Sequence, residues 1–138
     1  MPAVTVSVPV RWGDLDAYGH VNNVAIMGLL EQARVQAFWE TPQPVLPPLA
    51  AGAPVQVVVA DAHVAYRRAI AYAQEVDIEV TVPRVGGASF VIAYAIVVDG
   101  EVAVEATTTL ALVDAATWRP LRLDPEQRAR LAAFSAVP

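Results

Sequence analysis

The order of the hydrophobic patterns constrains this fold most: one helical segment is followed by four strand-like segments with no further helix between them. Three of the four alternate between apolar and polar positions, and one is apolar on both faces, as a central strand would be. The predicted strands cover residues 55–66, 75–83, 88–98 and 101–113. Gly86-Gly87 marks one turn, and Asp99-Gly100 is a strong two-residue hairpin sequence. Because short turns join antiparallel neighbours, an antiparallel sheet is predicted.

A helix is predicted ahead of these strands, over residues 23–40. The segment has no internal breaker other than Gly28, and Asn22 is a good N-cap because its side-chain oxygen can accept from an unpaired first-turn N–H. Apolar residues lie nearly all round this helix, which should therefore be largely buried. Close backbone packing is expected at Gly28, since glycine is otherwise unfavourable inside a helix.

Two shorter elements complete the fold prediction. Residues 4–12 alternate as a strand does, and Pro9 indicates a sheet edge or a bulge. Asp124-Pro125 supplies an N-cap and a first helical position for a short C-terminal helix over about residues 125–134. The predicted class is α+β, in the order β-α-β4-α. A five-stranded antiparallel sheet would wrap around a long central helix in a single domain, residues 1–138.

Composition excludes several classes of function. The 138-residue chain is 56% hydrophobic, yet it has no apolar run of about 18 residues, so a membrane-spanning helix is not expected. No basic stretch followed by an apolar one begins the sequence, so no signal peptide is expected either. The apolar surplus instead favours a homodimer or homotetramer. A net charge of −5 and the absence of any basic run argue against nucleic acid as a partner. The absence of cysteine excludes disulfides and fits a cytoplasmic location.

Polar chemistry is concentrated in one loop, "RWGDLDAYGHVNN", residues 11–23. With the "LLEQAR" of the following helix, this stretch resembles the hotdog-fold acyl thioesterases of the 4-hydroxybenzoyl-CoA thioesterase-like group. The shared pattern is an aromatic and a small residue, D-x-D-x-x-G-H-V-N-N, and then a helix with E-x-A-R. "YRRA" at 66–69 and "GGASF" at 86–90 also resemble segments of that family. The resemblance covers about residues 4–113 and implies hydrolysis of an acyl-CoA thioester to the free acid and CoA.

The resemblance implies that Asp16 is the catalytic carboxylate, as nucleophile or as general base. The alternative is a turn residue that satisfies loop amides. Asp14 is expected to cap the turn or to pair with Arg11. His20 could orient the substrate carbonyl or tune Asp16. The backbone N–H of Asn23, at the positive end of the helix dipole, is the predicted oxyanion donor.

Other candidates lie outside the loop. Asn22 is assigned to the substrate-binding end of the helix, where it also acts as the cap. Glu31 is the alternative catalytic carboxylate, although an i,i+3 ion pair with Arg34 is the competing interpretation. Arg67 and Arg68 could hold the phosphates of coenzyme A, or they could be a solvated pair at a sheet edge.

No metal is expected. No cofactor is expected either, because coenzyme A is part of the substrate. Two other functions remain open. One is hydrolysis of acyl-carrier-protein thioesters, although that partner is acidic and suits an acidic chain poorly. The acyl-carrier-protein branch also has an Asn where this chain has Tyr18. The other is a non-catalytic acyl-CoA-binding module of the same fold.

Overall fold

The computed structural model describes residues 4–72 and 75–134. The elements follow the predicted order. They are β1 (Val4–Pro9), a 3-10 turn (Trp12–Asp14), α1 (Asn23–Phe38), β2 (Val55–Tyr66), β3 (Glu75–Val85), β4 (Ser89–Val98), β5 (Glu101–Asp114) and α2 (Pro125–Ala132). This α+β arrangement of a five-stranded antiparallel sheet, a helix and a short C-terminal helix is that of a hotdog fold, as predicted.

The five strands form one sheet in the order β1-β3-β4-β5-β2, and every neighbouring pair is antiparallel. Both predicted turns connect neighbouring strands. In the β4–β5 turn, Asp99 and Gly100 have φ values of 51° and 77°, the left-handed conformation that two-residue hairpins require. Pro9 ends the edge strand β1, where its missing N–H costs no ladder bond to a second neighbour.

Helix α1 packs against β1 and β3 and supplies one layer of the core. Leu30, Ala33 and Phe38 are fully or almost fully buried on its inner side. The opposite side is open in the single chain: Val24 is 75% exposed, and Gly28 also lies at the surface. The expectation of a largely buried helix is therefore only half met, because a two-layer protomer can cover only one side of α1.

Two element ends differ from the sequence prediction. Strand β1 stops at Pro9 rather than at residue 12, because Asp14 N–H donates to the Arg11 carbonyl (3.0 Å) and folds the chain into the 3-10 turn. Helix α1 has 16 residues and ends at Phe38, so it is shorter than the predicted long helix over 23–40. Trp39 N–H donates to the Val35 carbonyl and closes the last turn.

Candidate active site

The loop between β1 and α1 is a short hairpin whose backbone is paired along its length. Asn22 N–H donates to the Asp14 carbonyl (2.9 Å), Leu15 bridges Val21, and Asp16 N–H donates to the His20 carbonyl (2.8 Å). Gly19 supplies the positive φ (79°) that the tight tip needs. The hairpin places Asp16 and His20 together at its tip, with its other end at the start of α1.

This hairpin is also tied to the segment that follows β2. Val21 N–H donates to the Ile70 carbonyl (2.8 Å), and His20 forms an isolated backbone bridge with Ala71. The tip is therefore held on both sides. Its position relative to the sheet is set by backbone bonds, which depend little on side-chain identity.

The Asp16 carboxylate is exposed and half satisfied. Its Oδ1 accepts from the N–H groups of Tyr18 (2.8 Å) and His20 (3.2 Å). Within residues 4–72 and 75–134, no donor is bonded to Oδ2. The turn-stabilising role considered as the alternative is thus present, and it orients the carboxylate while leaving one oxygen available. The catalytic role of Asp16 and any role of the His20 ring stay predictions.

Asp14 has the structural role expected of it. The side chain is buried, with 5% exposure, and it accepts from Arg11 through both the backbone N–H (2.8 Å) and the guanidinium (3.1 Å). Burial raises the pKa of Asp14, but the hydrogen bonds and charge of Arg11 outweigh burial and hold the pKa below its usual value. Asp14 is therefore an ionised residue that fixes the turn.

The N-terminus of α1 has unpaired donors. Asn22 caps it as predicted: its Oδ1 accepts from Ala25 N–H (2.8 Å), while its carbonyl accepts from Ile26 N–H (3.0 Å). The N–H groups of Asn23 and Val24 have no acceptor among the described residues. The sequence had indicated only the Asn23 donor. Two adjacent N–H groups at a helix N-terminus can both approach a developing oxyanion.

A cavity of about 890 Å³ begins at this helix end and runs between α1 and β1. Asn22, Asn23 and Asp14 are among the residues that line the cavity, whereas Asp16 does not line it. The structure thus brings the helix N-terminus and the cavity together in one place. Asp16 lies at the hairpin tip, and the bridge between Leu15 and Val21 separates it from the helix end.

Glu31 lies on the exposed side of α1 and pairs with Arg34 (3.4 Å), the i,i+3 ion pair considered from the sequence. Arg34 is only 9% exposed. Beneath it, the Tyr94 and Thr108 hydroxyls share a buried hydrogen bond (2.6 Å) that the sequence did not reveal. Burial raises the pKa of Tyr94 more than the Thr108 hydroxyl and Arg34 lower it. No local sequence pattern indicates this pairing, because it joins two strands and a helix.

Arg67 and Arg68 follow the end of β2, and both donate their backbone N–H to the Ala103 carbonyl (2.8 and 3.1 Å). Their guanidinium groups are exposed and pair with acidic residues of β5: Arg67 with Glu105 (3.0 Å) and Arg68 with Glu101. Exposed ion pairs of this kind are worth about 0–1 kcal/mol and exchange readily for another anion. The phosphate-binding role of both arginines stays a prediction.

Residues 4–72 and 75–134 contain no group of three or more His, Asp or Glu side chains placed to hold a metal ion. In the same ranges, no helix is long and apolar enough to cross a membrane.

Comparison with known proteins places the chain in a family. The family model described as the thioesterase-like superfamily matches residues 10–131. A thioesterase from Thermus thermophilus, crystallised with coenzyme A and zinc, is 30% identical with a TM-score of 0.79, and the alignment covers 97% of this chain and 95% of that one. The DHNA-CoA thioesterase from Staphylococcus aureus shares the fold at 22% identity (TM-score 0.83, 96% and 93% covered). No curated protein sequence matches significantly. Since the family model spans most of the length of this chain, the chain belongs to the thioesterase-like superfamily. Its reaction class is thioester hydrolysis.

Proposed function

We propose that the protein hydrolyses acyl-CoA thioesters, with Asp16 as the catalytic carboxylate and the first turn of α1 as the oxyanion site. The observation that carries the proposal is the pair of unpaired N–H groups of Asn23 and Val24, which lie at the base of the hairpin whose tip carries Asp16. Loss of one oxyanion donor has cost enzymes about 10²–10³ in turnover, so a preformed pair is a substantial catalytic element.

Asp16 has two routes to the thioester carbonyl carbon. As a general base it would take a proton from water, whose oxygen adds to that carbon. As a nucleophile it would add its own oxygen, and water would then hydrolyse the anhydride. In both routes the C–S bond breaks, and CoA leaves as a thiolate that gains a proton. The fixed Oδ1 supports either route, because the carboxylate is already oriented by the N–H groups of Tyr18 and His20.

Coenzyme A is the favoured thiol carrier for two reasons. The related Thermus thermophilus thioesterase was crystallised with coenzyme A. Arg67 and Arg68 also lie in the segment whose continuation, Ile70 and Ala71, bonds to the Asp16 hairpin. Phosphates that displaced Glu105 and Glu101 from these arginines would lie next to that hairpin. An acyl-carrier protein, which is acidic, would meet a protein of charge −5.

We further propose that the active protein is a homodimer or a larger homo-oligomer. The outer edge of β2 has no partner strand among the described residues. Its exposed apolar side chains include Val59 and Tyr66, and Met27 of α1 is exposed as well. An unpaired strand edge with apolar side chains is a ready surface for pairing with a second copy.

The test of the reaction is an Asp16→Asn variant assayed by thiol release from acyl-CoA. Turnover should fall by at least about 10²-fold, the lower end for losing a positioned base, with little change in thermal stability. Asp77→Asn, on the outer face of β3, is the matched control and should keep full activity. If Glu31→Gln abolishes turnover while Asp16→Asn keeps it, the catalytic carboxylate lies on α1 instead. If wild-type protein binds acyl-CoA without hydrolysing it, the non-catalytic alternative is correct.

A further inference from the structure

Gly28 lies in the middle of α1 without a structural reason in the described chain. Glycine weakens a helix interior relative to alanine, yet a Cβ built on Gly28 would meet no heavy atom within 4 Å. The close backbone packing expected from the sequence is therefore absent among residues 4–72 and 75–134 of the protomer. Gly28 has no positive φ that would demand glycine. Gly28 lines the cavity, and the absence of a side chain at this position leaves space inside it.

The cavity has the shape of a groove along α1. Ala25, Leu29, Gln32 and Gln36 recur every three or four residues and so form one stripe on the helix, facing Val8 and Pro9 of β1. At 1.5 Å per residue, the helix runs about 20 Å from Asn23 to Gln36. The volume of about 890 Å³ is within the range of small-molecule sites.

The polarity of the groove changes along its length. Close to the unpaired N–H groups the lining is polar, with Arg11, Asp14, Asn22 and Asn23, and the next part of the helix adds Val24, Ala25, Gly28 and Leu29, which offer only carbon atoms beyond the backbone. Further along the helix, Gln32 and Gln36 place carboxamides on the same stripe. An apolar chain lying against these amides would remove water from them without replacing its hydrogen bonds, which is unfavourable.

We propose that this groove holds the acyl group of the substrate as an extended aliphatic chain, that Gly28 keeps the groove open, and that Gln32 and Gln36 limit the chain length. The proposal rests on the proposed function, because it starts from a thioester carbonyl at the Asn23 and Val24 N–H groups. It assigns the substrate class as linear aliphatic acyl-CoA.

The test compares Gly28→Leu, Gln32→Leu and wild type on acetyl-CoA, octanoyl-CoA and palmitoyl-CoA. Each methylene that loses its contact should lower kcat/KM about fourfold. Gly28→Leu should therefore lower kcat/KM for octanoyl-CoA by about sixteenfold, which corresponds to two displaced methylenes, and should lower kcat/KM for acetyl-CoA far less. Gln32→Leu should act in the opposite direction and raise kcat/KM for palmitoyl-CoA. Ala129→Leu, an exposed position on α2, is the control for added bulk on a helix.

Failure of the groove and failure of the reaction give different results. Three results would show that Gly28 does not line an acyl site. Gly28→Leu could lower activity equally on all chain lengths, or it could leave hydrolysis of octanoyl-CoA unaffected. It could also lose activity because an oligomer dissociates. If wild-type protein hydrolyses none of the substrates, the proposed reaction fails, and calorimetric binding of octanoate tests the groove alone. Weaker octanoate binding by Gly28→Leu than by wild type would then support the groove, whereas equal binding, or none to wild type, would overturn it.

Discussion

Removing the Asp14 carboxylate should destabilise the protein far more than removing its arginine partner. The carboxylate is 5% exposed and accepts two hydrogen bonds from Arg11, one from the backbone N–H and one from the guanidinium. Hydrogen bonds to charged groups contribute about 1.5–3 kcal/mol. Asp14→Ala should therefore lower the free energy of unfolding by about 2–3 kcal/mol. Arg11→Ala keeps the backbone bond and removes a side chain that is 80% exposed, so it should cost at most about 1 kcal/mol.

The same contacts make this contribution dependent on pH. The pKa of Asp14 is held below its usual value in the folded state, so the unfolded chain binds the proton more readily. The stabilisation is fully present above the pKa of an unfolded aspartate, about 3.9. It is then lost as the pH falls through the lower folded pKa.

Urea unfolding of wild type, Asp14→Ala and Arg11→Ala at neutral pH and at a series of acidic pH values measures both effects. The difference in unfolding free energy between wild type and Asp14→Ala should shrink as the pH falls. A difference that stays constant with pH would show that the charge of Asp14 is not what stabilises the turn. Equal losses in the two variants would assign the stabilisation to the guanidinium rather than to the turn amide.

Two further predictions concern the substrate and the assembly. Replacing Arg67 and Arg68 together by Ala should raise KM for acyl-CoA and leave the hydrolysis of a small thioester without a nucleotide unaffected. Arg119→Ala is the control, and equal loss of activity on both substrates would indicate damage to the fold or the chemistry. Sedimentation at micromolar concentration should show no substantial monomer, and a clean monomer would remove the proposed β2 interface.

The parts of the fold that the sequence predicts are those fixed by neighbouring residues. The Asp99-Gly100 turn and the Asn22 cap both form as expected, because each depends on one or two residues and the backbone beside them. The end of β1 could not be read from its alternation. That pattern continues past Pro9, while the chain is already turning through the Arg11–Asp14 bonds. The exposure of Val24 likewise depends on how many layers cover α1, which periodicity does not report.

Long-range contacts explain what the sequence could not provide about the site. Arg67 and Arg68 are adjacent in the chain, but their partners Glu105 and Glu101 come from β5. That pairing follows from the β2–β5 register, which places Ala65 opposite Glu105. A phosphate must therefore compete with these carboxylates for the arginines, and the sequence alone gives no reason to expect competition.

The two aspartates of the loop show the same limit at closer range. Asp14 and Asp16 are only two residues apart, but Asp14 ends the 3-10 turn whereas Asp16 lies further along the hairpin. What separates them is their position along the hairpin. Asp14 lies where the hairpin meets the helix, its carbonyl bonded to Asn22 and its carboxylate buried against Arg11. Asp16 lies at the tip, where Oδ1 is held by two amides and the side chain faces solvent. Neutralising Asp14 should therefore act on stability, whereas neutralising Asp16 should act on turnover, and a variant pair that reversed these effects would contradict the assignment.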